Sequence, residues 1–298
     1  VGAAFTQLKF DHLLFTGSGN IGKHVMRAAS ENLVPLTLEL GGKSPVIVSD
    51  SSNIDITARR VMFNKTLNAG QICLAPDYVY VHETEKDNFV EACKDQVNKF
   101  YSDLKYNPDY TSVINQKHYD RLNGLLADAK DHGAELVEIN PANEDFSQQE
   151  SHKIPPTLVL NPTDEMQIMK EEIFGPLLPI KTYKDINEPI NYINKNDKPL
   201  GLYYFGNNKN EEAKVINSTT SGGVTVNDIM GHIQQNELGF GGVGPSGMGK
   251  YDGFDGFTNF SNNKPIYKQI GFGLDKLLDA IRPPYKGSIE DVLKKLLK

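Results

Sequence analysis

HLLFTGSGNIGKHVMRAASENLVPLTLELGGKSPVIV, residues 12–48, alternates short apolar runs with a glycine turn and one helical stripe. His12 to Thr16 reads as a strand, Gly17 to Gly22 as a turn, and Ile21, Val25, Ala28 and Ala29 recur at helical spacing. Leu36, Leu38 and Leu40 then alternate with Thr37 and Glu39, so a second strand buries its leucines and points Glu39 to the other face. Pro45 to Val48 makes a third strand. Strand, turn, helix, strand is the opening of an α/β fold with a largely parallel sheet.

The pattern continues outward. A helical stripe through Ile54, Ala58, Val61 and Met62 runs to Asn68, with Gly70 as its stop and Cys73 just beyond. After a strand at Tyr78 to His82, Thr84 is a candidate N-cap for a helix with Phe89, Val90, Cys93, Val97 and Phe100 inward. Cys93 therefore reads as core. A helix with Tyr119, Leu122, Leu126 and Ala129 ends at Gly133, and strands at Leu136 to Ile139, Thr157 to Leu160 and Leu202 to Phe205 alternate with further helices. Gly239 to Gly256 holds eight glycines in 18 residues, too many for an element interior, and reads as a loop held close to something.

Composition narrows the function. The 298 residues are long enough for a core, and 39% hydrophobic with 23% charged is ordinary for a globular chain. A net charge of −7 disfavours nucleic acid as a partner. No run approaches the roughly 18 apolar residues of a membrane helix, and no export signal is visible. Cys73 and Cys93 form neither a disulfide framework nor a metal spacing, so no metal and a cytoplasmic location are the expectation.

Gly17-Ser18-Gly19-Asn20-Ile21-Gly22 matches G-x-G-x-x-G between a strand and a helix, where backbone N–H groups and the helix dipole can face a phosphate. Alone the match is weak, and it fits equally a turn that binds nothing. Glu39 falls about 20 positions on, where a ribose-binding carboxylate is due. Read alone, Cys73 fits a buried inert thiol as well as a nucleophile, and Glu39 fits a strand carboxylate facing water.

Five motifs in order change this balance: Phe15-Thr16-Gly17-Ser18, Glu39 to Pro45, Gly70-Gln71-Ile72-Cys73, Glu171 to Pro176, and Phe240-Gly241-Gly242 with Ser246-Gly247. Over residues 15 to about 262 the chain resembles the NAD(P)-dependent aldehyde dehydrogenase superfamily, with Gly241 to Gly249 most similar to its class 3 and coniferyl-aldehyde branch. The resemblance implies oxidation of an aldehyde to a carboxylic acid with NAD or NADP. Cys73 would be the nucleophile, forming a thiohemiacetal and then a thioacyl-enzyme, and Glu39 the general base that activates water. Glu39 is thereby moved from ribose binding to catalysis. Gly17, Ser18, Gly22 and Leu40 would lie at the cofactor, Glu172 would hold the nicotinamide ribose, Phe174 would pack beside the nicotinamide, and Asn227 and Phe240 would line the substrate pocket.

The same resemblance implies departures. The family's oxyanion-hole asparagine and ribose-binding lysine lie upstream of anything matched by Val1 to Phe15, so the chain is expected to be N-terminally truncated. Its Rossmann-like part is then incomplete, and a catalytically incompetent fragment with a structural or assembly role is the alternative function. Tyr251-Asp252-Gly253 stands where relatives commonly have Tyr-His-Gly. A CoA-acylating dehydrogenase is disfavoured by Glu39, and a cysteine protease by the lack of a recognisable histidine motif. The expected organisation is an NAD-domain remnant over 1–40, a catalytic domain over 41–238, a return segment over 239–262 and a tail over 263–298. The complete protein is expected to be a homodimer. Leu274, Leu277, Leu278 and Ile281, then Ile289, Val292, Leu293, Leu296 and Leu297, form helical stripes in the tail, for which packing on protein is favoured over contact with a membrane surface.

Overall fold

The computed structural model describes residues 2–269, 282–283 and 289–297. The chain falls into two compact units, Val1–Ser261 and Asn262–Lys298. The first is an α/β structure with two sheets among its described residues.

The smaller sheet holds β1 (Leu13–Gly17), β2 (Leu36–Leu40) and β10 (Gly247–Met248), in the order β1-β2-β10. After the short α1 (Gly2–Phe5), β1 and β2 run parallel, joined by α2 (Gly19–Ser30), while β10 returns antiparallel with Gly247 opposite Glu39. Val25 and Ala29 of α2 pack with Leu13, Leu38 and Leu40. Ile21, expected on the buried stripe, is exposed, because Gly22 takes the inward position against Leu40.

The larger sheet has seven strands: β3 (Pro45–Val48), β4 (Tyr78–His82), β5 (Glu135–Glu138), β6 (Thr157–Leu160), β7 (Leu177–Tyr183), β8 (Gly201–Phe205) and β9 (Gly223–Val226). Their order is β5-β6-β7-β4-β3-β8-β9, with every pairing parallel except β5 with β6. Successive residues of β3 go to opposite faces. Val46 and Val48 join α3 (Ile54–Thr66) and α4 (Lys86–Phe100) through Val61, Met62, Phe89 and Cys93. Ile47 joins Leu122 and Leu125 of α5 (Gln116–Asp131), Ile168 and Met169 of α6 (Gln167–Lys170), Ile190 and Ile193 of α7 (Asn187–Lys195), and Val215 of α8 (Lys209–Ser218). With both faces covered, the inner strands read as continuous apolar runs.

Three local expectations are corrected. α3 ends at Thr66, and a 3₁₀ turn over Leu67–Gly70 follows, in which Asn68, Ala69 and Gly70 all have positive φ. Thr84 does not cap α4: its hydroxyl pairs with His82 Nδ1 at 2.8 Å inside a 3₁₀ turn over Glu83–Glu85, and the helix begins after it. The glycine-rich segment is not loop throughout, since it supplies β10, a bridge between Phe240 and Tyr251, and the start of α9 (Gly253–Asn259).

In the second unit, α10 (Ile289–Leu296) is helical, with Lys294 and Lys295 in its last turn and Leu293 and Leu297 exposed. Leu274, Leu277, Leu278 and Ile281 lie outside the described residues. Among the described residues no helix is long and apolar enough to cross a membrane.

Candidate active site

Glu39 sits near the end of β2, where Leu40 N–H donates to Ser246 O at 3.0 Å as the glycine-rich return closes on the strand. It is 2% exposed, which corrects the strand-pattern expectation of a water-facing carboxylate. Alternation only assigned Glu39 to the face opposite the leucines; here that face is covered too. Burial raises the Glu39 pKa, against the lowering effect of the Cys73 thiol that faces it. Its Oε1 is buried with no hydrogen-bond partner among the described residues.

Cys73 follows the left-handed turn at the end of α3. Gly70 is needed there: its φ is 71°, and a Cβ would lie 2.3 Å from the Gly175 carbonyl oxygen, so the two motif loops touch. Gln71 braces the turn, its Nε2 donating to the Asn68 and Ser112 carbonyls at 3.0 Å each and its Oε1 accepting from Ile114 N–H at 2.9 Å. Cys73 is partly buried and Cys93 wholly so. Burial first, then the facing Glu39 carboxylate and Glu172, push the Cys73 thiol up to about 12. The helix end therefore does not by itself supply the thiolate stabilisation that a nucleophile needs.

Glu172 lies on the segment that enters β7, and its carboxyl packs against Gly41, where the chain leaves β2. A Cβ on Gly41 would be 2.0 Å from Glu172 Oε2, so the carboxyl occupies the space a side chain would take. Burial and the nearby Asp77 charge raise its pKa to about 7, opposed by the Gly42 N–H and by Lys43. Arg121 braces the loop, Nη1 donating to Glu172 O at 3.3 Å and Nη2 to Ile173 O at 2.5 Å. The next residue, Phe174, is half-buried with φ 47°.

The remaining sequence-derived positions divide. Phe240 is buried, with its ring 5.3 Å from Tyr251 and 5.9 Å from His232. Tyr251 is held high by burial and by the charges of Glu39 and Cys73, which places this aromatic wall at the site. Asn227 is engaged elsewhere: its Oδ1 accepts from Gly206 N–H at 2.9 Å and its Nδ2 donates to Gly206 O at 3.0 Å, tying the ends of β8 and β9. Asp252 is exposed, has φ 65° and makes no side-chain cap on α9.

The glycine turn lies at the same end of β2, with Gly17 opposite Leu40 and Thr16 opposite Glu39. Gly17 ends β1, and Ser18 is the N-cap of α2 but makes no side-chain capping bond, leaving first-turn N–H groups for another acceptor. Gly22 presses on Leu40, where a Cβ would come within 2.8 Å of Cδ2, so these two residues fix the helix on the strand. This uncapped turn and the Glu172 carboxyl cradled on Gly41 fit the phosphate and ribose ends of a dinucleotide. Among the described residues there is no group of three or more His, Cys, Asp or Glu placed to hold a metal ion.

Sequence reasoning gave no role to Lys43, Lys65, Asp77, Arg121 or Tyr251. Lys43 lay inside a quoted motif, and nothing in the sequence marked Asp77. Lys65 is 1% exposed, donates to Pro76 O at 2.7 Å, and is lowered to about 8 by burial.

A cysteine facing a buried carboxylate thus stands beside a second buried carboxylate and a glycine-rich strand-to-helix turn. The chain belongs to the aldehyde dehydrogenase family, whose model matches residues 1–266. It is 53% identical over 293 residues to a probable coniferyl aldehyde dehydrogenase of Caulobacter vibrioides, covering 98% of this chain and 60% of that protein. Among solved structures, the substrate-bound state of Staphylococcus aureus AldH is similar at a TM-score of 0.85 and 41% identity, covering 100% of this chain and 62% of that one. A betaine aldehyde dehydrogenase of Staphylococcus aureus, solved in complex with NAD+, gives a TM-score of 0.78 at 27% identity, covering 87% of this chain and 52% of that one. The chain thus spans about three-fifths of the length of the curated relative.

Proposed function

We propose that the protein carrying this chain oxidises an aldehyde to a carboxylic acid with NAD or NADP. The observation that carries the reading is the Cys73 thiol facing the buried Glu39 carboxyl, whose Oε1 has no hydrogen-bond partner among the described residues. A thiol held near 12 is a weak nucleophile at neutral pH, so it needs a base at the moment of attack. Glu39 is placed to take that proton as Sγ bonds the carbonyl carbon. The dinucleotide, when bound, supplies the acceptor for the hydride lost from that carbon.

What remains on Cys73 is a thioester. Glu39 releases the thiol's proton to solvent, then takes a proton from water as the water oxygen bonds the acyl carbon, and that proton goes to sulfur as the C–S bond breaks and the acid leaves. Glu172 holds a ribose hydroxyl pair as a carboxylate acceptor, and Gly17, Ser18 and the first turn of α2 take the pyrophosphate, with Gly22 and Leu40 fixing that helix. Phe174 packs beside the nicotinamide. Phe240 and Tyr251 form an apolar wall suited to an aromatic or aliphatic aldehyde. The small β1-β2-β10 sheet carries the glycine turn and Glu39, while the loops bearing Cys73 and Glu172 lead into β4 and β7 of the seven-stranded sheet.

The test is NAD(P)H production by the full-length protein with a panel of aromatic and aliphatic aldehydes, beside Cys73→Ser. Activity that disappears in the variant supports the reading; equal activity in both refutes it.

A further inference from the structure

Each of the three chemistry-bearing segments has a neighbour in one buried ion pair. Lys43 stands four residues after Glu39, Asp77 four residues after Cys73, and Ile168 to Ile173 is the stretch that delivers Glu172. The Lys43 ammonium pairs with Asp77 Oδ1 and also donates to the Ile168 and Glu171 carbonyls at 2.8 and 2.9 Å. The other Asp77 oxygen, Oδ2, accepts from Ile173 N–H at 2.9 Å, and Asp77 N–H donates to Ser44 O at 2.9 Å. The Asp77 side chain is 4% exposed and that of Lys43 18%, so these charge-assisted bonds are shielded from water.

We infer that the Lys43–Asp77 pair is a positioning clamp that fixes the Glu172 loop against the nucleophile loop and the end of β2. The inference rests on the dehydrogenase reading for its functional meaning. All three ammonium protons of Lys43 are used: one on the nucleophile-bearing segment and two on the Glu172-bearing segment. Asp77 is likewise shared between Lys43 and Ile173. Breaking either partner releases bonds to both loops at once, and leaves the other partner's charge uncompensated in a largely buried setting. The two loops also meet directly where Gly70 faces the Gly175 carbonyl, with no room for a side chain between them. Lys43 and Asp77 act through Glu172 and Cys73 without touching the reacting atoms.

The experiment uses the full-length protein with Lys43→Gln, Asp77→Asn and the double variant, measuring NAD(P)H affinity of the folded protein and amide hydrogen exchange over residues 168–175. Each single variant is expected to weaken binding by about tenfold or more, and the double variant by no more than the weaker single, since one clamp can be broken only once. Exchange over 168–175 should quicken at least about tenfold in every variant, with α4 unchanged as the internal control. Singles that bind and exchange within about twofold of wild type overturn the clamp, as does a double-variant loss equal to the product of the singles. A lowered melting temperature with unaltered affinity would show a purely structural pair. If Asp77→Asn does not fold, Lys43→Gln, at the more exposed partner, decides the matter alone. Wild-type protein that fails to bind NAD(P)H overturns the dehydrogenase reading instead, and the exchange rates then judge the clamp.

Discussion

Replacing Glu39 by Gln should make Cys73 more reactive toward a disulfide reagent while nearly abolishing turnover. At pH 8 a thiol with an ordinary value of 9.0 is about one-tenth ionised, whereas one at about 12 is ionised to about one part in 10⁴. The thiolate population thus falls by about 10³. A more basic thiolate is intrinsically more nucleophilic, with a Brønsted slope of about 0.4–0.5, which returns a factor of about 20. Cys73 should therefore react about 50-fold more slowly than an unperturbed thiol. Burial is the largest cause and survives the substitution, while the facing carboxylate is removed. For each pH unit by which loss of the carboxylate lowers the thiol, Glu39→Gln should quicken capping by about 3- to 4-fold. Stopped-flow reaction with dithiodipyridine on cofactor-free protein measures this, with Cys73→Ser giving the background from the wholly buried Cys93. The wild-type rate should climb about tenfold per pH unit from 7 to 10 without a plateau. Reaction as fast as free cysteine at pH 8, or a Gln variant no faster than wild type, would refute the facing-carboxylate account.

Further outcomes are specific. In aldehyde oxidation, Glu39→Gln should lower kcat by about 10²–10⁴ with little change in cofactor affinity; a tenfold weaker cofactor with unchanged turnover would return Glu39 to ribose binding. Cys93→Ser should leave kcat within about twofold while costing about 1–3 kcal/mol in denaturant unfolding, because it buries a hydroxyl among Val97, Phe89 and Met62. Gly41→Ala places a Cβ where the Glu172 carboxyl now lies, so calorimetry should show NAD(P) binding weakened about tenfold, with stability altered by less than about 1 kcal/mol as the side chain swings away. If the ionised form of Glu172 holds the ribose, affinity should fall as pH drops through about 7 and level off above it, and Glu172→Gln should flatten that profile.

The large sheet was legible because parallel strands buried on both faces leave runs such as Pro45 to Val48, Tyr78 to His82 and Thr157 to Leu160, each bounded by breakers. Helix starts were less so: Thr84 satisfies the residue preference of a cap, yet its hydroxyl was taken by His82, a competition that spacing cannot show. The left-handed Asn68 and Ala69 left no mark, since neither is glycine and the turn is stabilised by Gln71 bonds reaching to Ser112 and Ile114. At the site, Cys73, Glu39 and Glu172 came from motif order, which carries family information that single-residue physics lacks. Asp77 and Lys65 stayed hidden because what defines them is a partner distant along the chain or a depth of burial. Asn227, just after β9, spends its amide on Gly206.

The strand order of the large sheet also sets a timetable for a chain made from its N-terminus. β3 lies between β4, which follows closely, and β8, with Ser44 meeting Gly201 across 157 positions. At about 5–20 residues per second, ribosomal synthesis leaves one edge of β3 without its strand for about 8–30 s. The strand that carries Glu39 waits longer still, until β10 has been made. Both edges are apolar stretches of the kind that invite pairing with another nascent chain. The yield of active protein is therefore governed by what shields residues 36–48 during translation, and slowing elongation between codons 100 and 200 should lower soluble yield more than the same delay placed after codon 250.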